Sequence, residues 1–139
     1  MGCLIGLDFG IKDSGIAITD QNQIIASPLD TCKTNRLISF LIKYDKNERV
    51  DAFVIGKPIQ KDGTPSDVEK EILEFIIKLK KNFPNKSIYR QDERYTSKIS
   101  SRVILESGIK KNKRKNKRLI DKISATLILQ SYLEHKSKN

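Results

Sequence analysis

The amino-terminal segment constrains the fold most, because its pattern predicts two strands joined by a tight turn that carries one acid. The first run, residues 4–10, is apolar and β-branched up to Asp8, and Gly10 then tolerates the backbone angles of a turn. A second run, residues 14–18, repeats the strand pattern. Asp8 is therefore predicted at the carboxyl end of a strand, where open α/β sheets bind ligands. An aspartate that only caps the turn is the alternative at this point.

The charge balance favours a polyanionic partner. The 139 residues include 27 basic and 17 acidic ones, which gives a formal net charge of +10. Nucleic acid is the first candidate on electrostatic grounds and an anionic membrane surface the second. No apolar run approaches the roughly 20 residues that span a bilayer, so no membrane attachment is expected. The length suits one core, and residues 1–139 are predicted to form a single domain.

Cysteine and histidine content argues against one common class of metal site. Cys3 and Cys32 lack the spacing of zinc ligands, and His135 is the only histidine, so a structural zinc site is not expected. The first apolar run, which ends at Asp8, is too short for the apolar region of a signal peptide, which has about 7–15 residues. We therefore expect free thiols in a cytoplasmic protein.

Strands and helices are predicted to alternate after the first hairpin. A short third strand is expected over residues 23–28, where Pro28 ends the strand or restricts it to a sheet edge. Apolar residues at helical spacing then predict a helix over residues 34–46 with Thr34 as its N-cap. The nearly unbroken apolar run over residues 50–56 predicts a strand that is buried on both faces.

The same alternation continues through the middle of the chain. A loop over residues 57–66 precedes a helix that begins at a capping-box pattern, Ser66 with Glu69, and ends near residues 82–84. A weaker strand is predicted over residues 86–91. The result is an α/β protein with a mixed sheet, in which three antiparallel strands are followed by parallel strands and helices flank the sheet.

Two further helices are predicted in the last third of the chain. The first covers residues 96–108 and stops at a glycine, and the second covers residues 119–135. Between them lies a strongly basic segment, which we expect to be extended or mobile when unbound because its like charges repel. Its basic residues are Lys110, Lys111, Lys113, Arg114, Lys115, Lys117 and Arg118.

Acids occur at positions that the predicted topology brings together. Asp92 and Glu93 follow a strand, as Asp8 nearly ends one, so parallel pairing would put them at one edge of the sheet, where adjacent strands lie about 4.8 Å apart. Asp121 shares a helix face with Ala125 and so faces the body of the protein. The alternative for Asp121 is an acid that the dipole favours at a helix N-terminus.

Converging carboxylates predict a metal-dependent hydrolase. Asp8, Glu93 and Asp121 would repel one another without positive charge between them, and Mg²⁺ or Mn²⁺ prefers such oxygen ligands. Two ions about 3.5–4 Å apart can activate water and stabilise the leaving oxygen of a phosphodiester. The chemistry needs no histidine base, which fits a chain that has only His135.

Basic residues near these acids have two interpretations each. Arg94 either holds Glu93 through a salt bridge or binds phosphate. The basic segment over residues 110–118 is either a solvated loop or a surface that delivers backbone phosphates to the acids. Such contacts would supply affinity and little sequence specificity.

Four motifs in order across nearly the whole chain resemble the YqgF (RuvX) family. They are Leu7-Asp8-Phe9-Gly10 with Gly15-Ile16-Ala17, Val54-Ile55-Gly56-Lys57-Pro58 with Asp62-Gly63-Thr64, Asp92-Glu93-Arg94-Tyr95-Thr96-Ser97, and Ile120-Asp121-Lys122-Ile123-Ser124-Ala125 with Ile128-Leu129-Gln130-Ser131-Tyr132-Leu133. The resemblance implies an RNase H-like fold. It also implies a nuclease that matures the 5′ end of pre-16S ribosomal RNA in ribosome biogenesis, or a Holliday junction resolvase that acts on branched DNA.

The resemblance also implies roles for individual residues. Asp8, Glu93 and Asp121 carry the catalytic, metal-binding positions, and Asp92 is an accessory neighbour. Asp13 departs from the basic or small residue that is usual in the first turn, and Lys57 departs from the usual aliphatic residue. Asp13 adds negative charge near the site, which bears on its affinity for phosphate.

Other classes of function remain as alternatives. A non-catalytic, RNA-binding ribosome assembly factor would use the basic surface alone. The first hairpin also resembles the phosphate loop of actin-like ATPases, but those enzymes use two such domains and this chain has the length of one. The sequence leaves both a monomer and a homodimer open, and resolvases cut paired strands as dimers.

Overall fold

The computed structural model describes residues 2–93 and 113–137 and contains a mixed five-stranded sheet with the order β3-β2-β1-β4-β5. The strands are β1 (Cys3–Asp8), β2 (Asp13–Thr19), β3 (Ala26–Lys33), β4 (Val50–Lys57) and β5 (Ser87–Asp92). The first three strands pair antiparallel, whereas β4 pairs parallel with both β1 and β5. The predicted α/β architecture, with antiparallel strands followed by parallel ones, is confirmed.

Helices cover both faces of this sheet. They are α1 (Leu37–Asn47), preceded by a 3-10 turn at Thr34–Arg36, α2 (Glu69–Asn82) and α3 (Lys113–Ser137). The helix predicted over residues 96–108 lies outside the described residues. Among the helices that are described, none is long and apolar enough to cross a membrane.

The third strand begins later than predicted. The carboxylate of Asp20 accepts the backbone N–H groups of Ile24 at 2.9 Å and Ile25 at 2.8 Å, which holds both residues in a turn. The strand therefore runs over Ala26–Lys33 and passes through Pro28. Because β3 is an edge strand, the missing N–H of Pro28 is tolerated there, as predicted.

Neither predicted helix cap forms. Thr34 and Glu69 have distant partners instead, and the Ser66 hydroxyl accepts from the Val68 N–H at 3.3 Å rather than from Glu69. The Thr34 hydroxyl donates to the carbonyl of Gly10 at 2.6 Å and lies 2.7 Å from the Ser14 hydroxyl, so it ties the β1–β2 turn to the start of α1. Glu69 pairs with Arg90 of β5 at 2.6 Å. Long-range contacts of Thr34 and Glu69 thus take the place of the local caps that the sequence pattern indicated.

The core consists of two apolar layers, one on each face of the sheet. The layer shared with α1 and α2 includes Ile5, Leu7, Ile16, Phe53, Ile55, Leu37, Leu41, Ile72 and Leu79. The layer shared with α3 includes Leu4, Ala17, Val54, Ala125, Ile128 and Leu129. Successive residues of β1 alternate between these layers, as the period of a strand requires.

Glycines on three adjacent strands let α3 lie directly on the sheet. A Cβ at Gly15 of β2 would lie 1.9 Å from the backbone oxygen of Asp121, and one at Gly56 of β4 would lie 2.7 Å from Ile128 Cδ1. Gly6 of β1 has equally little room, since its Cβ would lie 2.7 Å from a side-chain carbon of α3. The helix is therefore fixed across β2, β1 and β4, and this crossing brings Asp121 to the sheet.

Candidate active site

Asp8 and Glu93 meet at the carboxyl edge of the sheet, although their strands are not neighbours. Asp8 ends β1 and Glu93 directly follows β5, while β4 lies between the two strands. A Cβ at Gly56 of β4 would lie 2.8 Å from Glu93 Cδ and 2.9 Å from its Oε2. The absence of a side chain at Gly56 therefore leaves the space that the Glu93 carboxyl group occupies.

The two carboxyl groups are joined by a side-chain hydrogen bond. Burial raises the pKa of Asp8 well above its usual value, and the negative charges of Glu93 and Asp121 raise it further. Burial also raises the pKa of Glu93, whereas the hydrogen bond from Asp8 opposes that rise. Because a hydrogen bond between two carboxyl groups requires a proton, Asp8 and Glu93 share one proton and titrate as a pair. Asp8 is held by Glu93, which does not support the alternative of a simple turn cap.

Asp121 supplies the third acid from α3. Burial raises its pKa, the positive charge of Lys117 lowers it and the negative charge of Asp13 raises it. Its Oδ2 atom is buried and has no hydrogen-bond partner within residues 2–93 and 113–137. Since α3 begins at Lys113, Asp121 lies more than two turns into the helix, beyond the first turn where the dipole stabilises an acid. The helix-terminus interpretation of Asp121 is therefore not supported.

The donor chemistry of these acids fits a hard divalent cation. A hydrogen bond joins Asp8 and Glu93, and Asp121 offers a buried oxygen that lacks a partner in the part of the chain that the structure describes. Carboxylate oxygens, which all three acids supply, are the ligands that Mg²⁺ and Mn²⁺ prefer. Within residues 2–93 and 113–137, however, no group of three or more His, Cys, Asp or Glu side chains is gathered closely enough to hold a metal ion.

Neighbouring residues modify the charge around Glu93. Asp92 ends β5 opposite Lys57 of β4, and its negative charge raises the pKa of Glu93. The positive charge of Arg90 lowers the same pKa. Arg94, predicted as a salt-bridge partner or phosphate ligand, lies outside the described residues.

The basic segment is helical in its described part, so the prediction of an extended or mobile segment is wrong from Lys113 onward. The Arg118 guanidinium donates to the Thr31 carbonyl at 2.8 Å, and the Thr31 hydroxyl donates to the Arg118 carbonyl at 2.5 Å. Lys117 lies 3.8 Å from Asp13. These contacts with β2 and β3 offset the repulsion between like charges. The sequence pattern gives no sign of the contacts, because their partners are distant in sequence.

Not all of the predicted basic residues can be placed beside the acids. Lys110 and Lys111 lie outside the described residues, whereas Lys113, Arg114 and Lys115 form the first turn of α3. The Lys117 and Arg118 side chains are about three-fifths exposed, at 60% and 64%. Lys117 and Arg118 are therefore solvent-accessible cations one turn before Asp121, although each also contacts β2 or β3.

Sequence reasoning missed the residues that hold the site in place. Gly15 and Gly56 leave room for Asp121 and Glu93, and Arg90 bonds to the Gly56 carbonyl at 3.0 Å. The two glycines fall within the motifs that were singled out, but their contacts depend on which strands are neighbours. Arg90 had no signal beyond its place in a strand.

Comparison with known proteins identifies the family. The family described as "RuvX: Holliday junction resolvase" matches residues 2–135. The chain belongs to the RuvX family. Among curated relatives, "Putative pre-16S rRNA nuclease" of Flavobacterium psychrophilum is 47% identical over 133 residues, covering 96% of this chain and 97% of the relative. The relative of the same name in Bacteroides fragilis (strain YCH46) is 45% identical over 136 residues, covering 98% and 99%.

A solved structure confirms the fold expected for a RuvX member. "T. thermophilus RuvC in complex with Holliday junction substrate" superimposes with a TM-score of 0.61 over 99% of this chain and 96% of that chain. At 14% identity this likeness is one of fold alone. The RuvX chain therefore has the RuvC-like, RNase H-like architecture that its motifs predicted.

Proposed function

We propose that this RuvX chain is a metal-dependent nuclease that processes the 5′ end of pre-16S ribosomal RNA. The family and its nuclease-named relatives support an enzyme that hydrolyses phosphodiester bonds. The observation that carries the proposal is the hydrogen-bonded carboxyl pair of Asp8 and Glu93, accompanied by Oδ2 of Asp121, which has no hydrogen-bond partner among the described residues. Partly buried acids whose charges destabilise one another are expected at a functional site.

One or two divalent cations, Mg²⁺ or Mn²⁺, would be held by Asp8, Glu93 and Asp121. The bound ion would supply an activated water and neutralise the charge on the leaving oxygen. Asp8 and Glu93 would give up their shared proton, and Glu93 would keep its carboxylate over Gly56. Asp121 would contribute the oxygen that has no partner among the described residues. Asp92 adds negative charge as an accessory neighbour of Glu93.

Basic side chains at the start of α3 would bind the backbone of the nucleic acid. Lys117 and Arg118 are exposed there, and the net charge of +10 favours any polyanion. Phosphate contacts of this kind position a strand without reading its sequence. Specificity for a precursor end would then come from the shape of the RNA.

Branched DNA is the second candidate substrate, because the family is described as a Holliday junction resolvase. A non-catalytic RNA-binding assembly factor is the third candidate, and it would need the basic surface without the acids. We further propose a cytoplasmic protein with a single domain over residues 1–139. A two-fold dimer measured by light scattering would favour paired cuts in a junction, and a monomer would favour the ribosomal RNA.

Cleavage assays with matched variants test the proposal. We would compare the cleavage rates of wild type with those of three variants, Asp8→Asn, Glu93→Gln and Asp121→Asn. The substrates are a structured RNA with a pre-16S 5′ leader, a four-way DNA junction and single strands. The control is Asp67→Asn, which removes an exposed acid ahead of α2. We expect cleavage in Mg²⁺ or Mn²⁺ that chelation stops and that only the three site variants abolish, with circular dichroism unchanged.

The outcomes separate the three candidates. Cleavage of the RNA leader alone supports the ribosomal RNA substrate, and cleavage of the junction alone supports the resolvase. Carefully purified wild type that cuts nothing, or site variants that cut as well as wild type, would defeat the nuclease assignment. RNA binding that persists in that case would favour the assembly factor.

A further inference from the structure

Arg90 makes a forked ion pair beside the acids. It lies on β5 with its side chain 22% exposed, and its partner Glu69 at the start of α2 is 11% exposed. Arg90 Nη2 donates to Glu69 Oε1 at 2.6 Å, and Nη1 donates to Oε2 at 3.2 Å. The two parallel bonds fix the plane of the guanidinium, which a single contact could not do.

The same guanidinium also binds the end of β4. Nη2 donates to the Gly56 carbonyl at 3.0 Å, and Nε donates more weakly to the Ile55 carbonyl at 3.4 Å. Gly56 is the residue over which the Glu93 carboxyl group lies, at a distance that excludes a Cβ. Arg90 therefore fixes the backbone against which Glu93 rests, and Glu69 fixes Arg90.

We propose that Arg90 is a positioning residue that holds the Glu93 carboxylate in place for metal binding. The inference rests on the proposed function, because it concerns one of the three proposed metal ligands. Residues that orient a ligand without touching the metal typically change metal affinity or activity by about 10–100-fold when they are replaced. Lysine cannot take over this role, since its single ammonium group lacks the planar fork.

A structural role alone would mean that Arg90 only neutralises Glu69. Removing either partner of a buried pair leaves an uncompensated charge and destabilises the fold, so single variants cannot separate the two roles. The double variant Glu69→Gln/Arg90→Met removes both charges together and leaves the Gly56 carbonyl without its guanidinium. The metal affinity and the cleavage rate of this double variant therefore report whether Arg90 positions the Glu93 carboxylate.

The chain offers a matched control at the opposite end of the same strands. Lys86 precedes β5, pairs with Asp45 at 3.1 Å and donates to the Val50 carbonyl at the start of β4. Its side chain is 20% exposed, close to the value for Arg90. Asp45→Asn/Lys86→Met thus removes a similar cation, carboxylate and carbonyl contact far from the acids.

Both double variants are compared with wild type by thermal unfolding, Mn²⁺ titration calorimetry without nucleic acid, and cleavage kinetics. We expect similar losses of thermal stability in the two. Only Glu69→Gln/Arg90→Met should bind Mn²⁺ roughly 10–100-fold more weakly and lose kcat to a similar degree, while KM for the nucleic acid changes less than about twofold.

Equal Mn²⁺ affinity and equal kcat per folded molecule in the two double variants would overturn the role of Arg90. Wild type that binds Mn²⁺ but cleaves no substrate would defeat the nuclease assignment alone, since the titration still decides about Arg90. Wild type that binds no Mn²⁺ would overturn both proposals.

Discussion

The carboxyl group of Glu93 occupies the space that a side chain at Gly56 would fill, with Cδ only 2.8 Å from the position of a Cβ. This contact connects a residue of β4, which carries none of the proposed metal ligands, to the acid that follows β5. Because β4 separates β1 from β5, Glu93 reaches Asp8 across this glycine. The presence of glycine at position 56 thus determines whether the two acids can meet.

Gly56→Ala should impair the site more than it impairs the fold. The new methyl group would push the Glu93 carboxyl group away from Asp8, and a misplacement of about 1 Å can cost roughly 100-fold in rate. Gly6→Ala is the control, because its Cβ would meet α3 at a similar 2.7 Å without touching an acid. We expect each variant to lose about 1–3 kcal/mol of unfolding free energy in urea, and only Gly56→Ala to lose kcat beyond its unfolded fraction. Equal kcat in the two variants would contradict the role of Gly56.

Gly15→Ala should destabilise the chain much more. Its Cβ would lie 1.9 Å from the Asp121 carbonyl oxygen, which is backbone and cannot rotate away as a side chain can. To relieve this steric clash, α3 would have to move away from β2. We expect a loss of more than about 3 kcal/mol in urea unfolding, which is at the upper end for a single substitution. A loss below about 1 kcal/mol would show that α3 moves freely over β2.

The positions of β1, β2, β4 and β5 were predictable because apolar periodicity is a local signal, whereas β3 begins later than its pattern indicated. The presence of an acid at the end of β1 and after β5 is a local signal too. The meeting of Asp8 with Glu93 across Gly56 was not, because it depends on β4 inserting between their strands. Thr34 was misassigned as a cap for a similar reason, since its partner Gly10 is distant in sequence. Local pattern does not encode such long-range partners.

The pH dependence of stability should report on Asp8 in the metal-free protein. Its pKa is raised in the folded state, so between the unfolded and folded pKa values the folded chain holds a proton that the unfolded chain has released. Stability is therefore fully present below the unfolded pKa and is lost as pH rises through the folded pKa. Asp8→Asn lacks this loss, because its amide does not ionise.

We accordingly expect Asp8→Asn to unfold at a higher temperature than wild type at neutral pH with chelator present. Each kcal/mol regained raises the midpoint by roughly 3–5 °C in a chain of this size, and the difference should vanish in acid. Saturating Mn²⁺ should make wild type the protein with the higher unfolding temperature, because only wild type gains binding free energy from the ion. Differential scanning calorimetry across pH would measure both effects. A wild type that is the more stable protein under chelation at neutral pH would contradict the raised pKa.

Salt dependence should show whether the start of α3 contacts nucleic acid. Each phosphate contact releases counterions, so the logarithm of affinity falls with the logarithm of salt at about 0.7 per contact for single strands and about 0.9 for duplex DNA. Replacing Lys113, Arg114, Lys115 and Lys117 with Gln should weaken binding and flatten this slope.

Fluorescence anisotropy over a salt series would measure this slope. A charge-matched control replaces four exposed lysines of α2 and its preceding loop with Gln, namely Lys61, Lys78, Lys80 and Lys81. Both variants lose the same formal charge, so a purely global electrostatic effect would change the two slopes equally. A flatter slope in the α3 variant alone places the phosphates at the amino-terminal end of α3, next to Asp121. An unchanged slope there would assign these cations to solubility and would leave the approach to the acids to residues elsewhere in the chain.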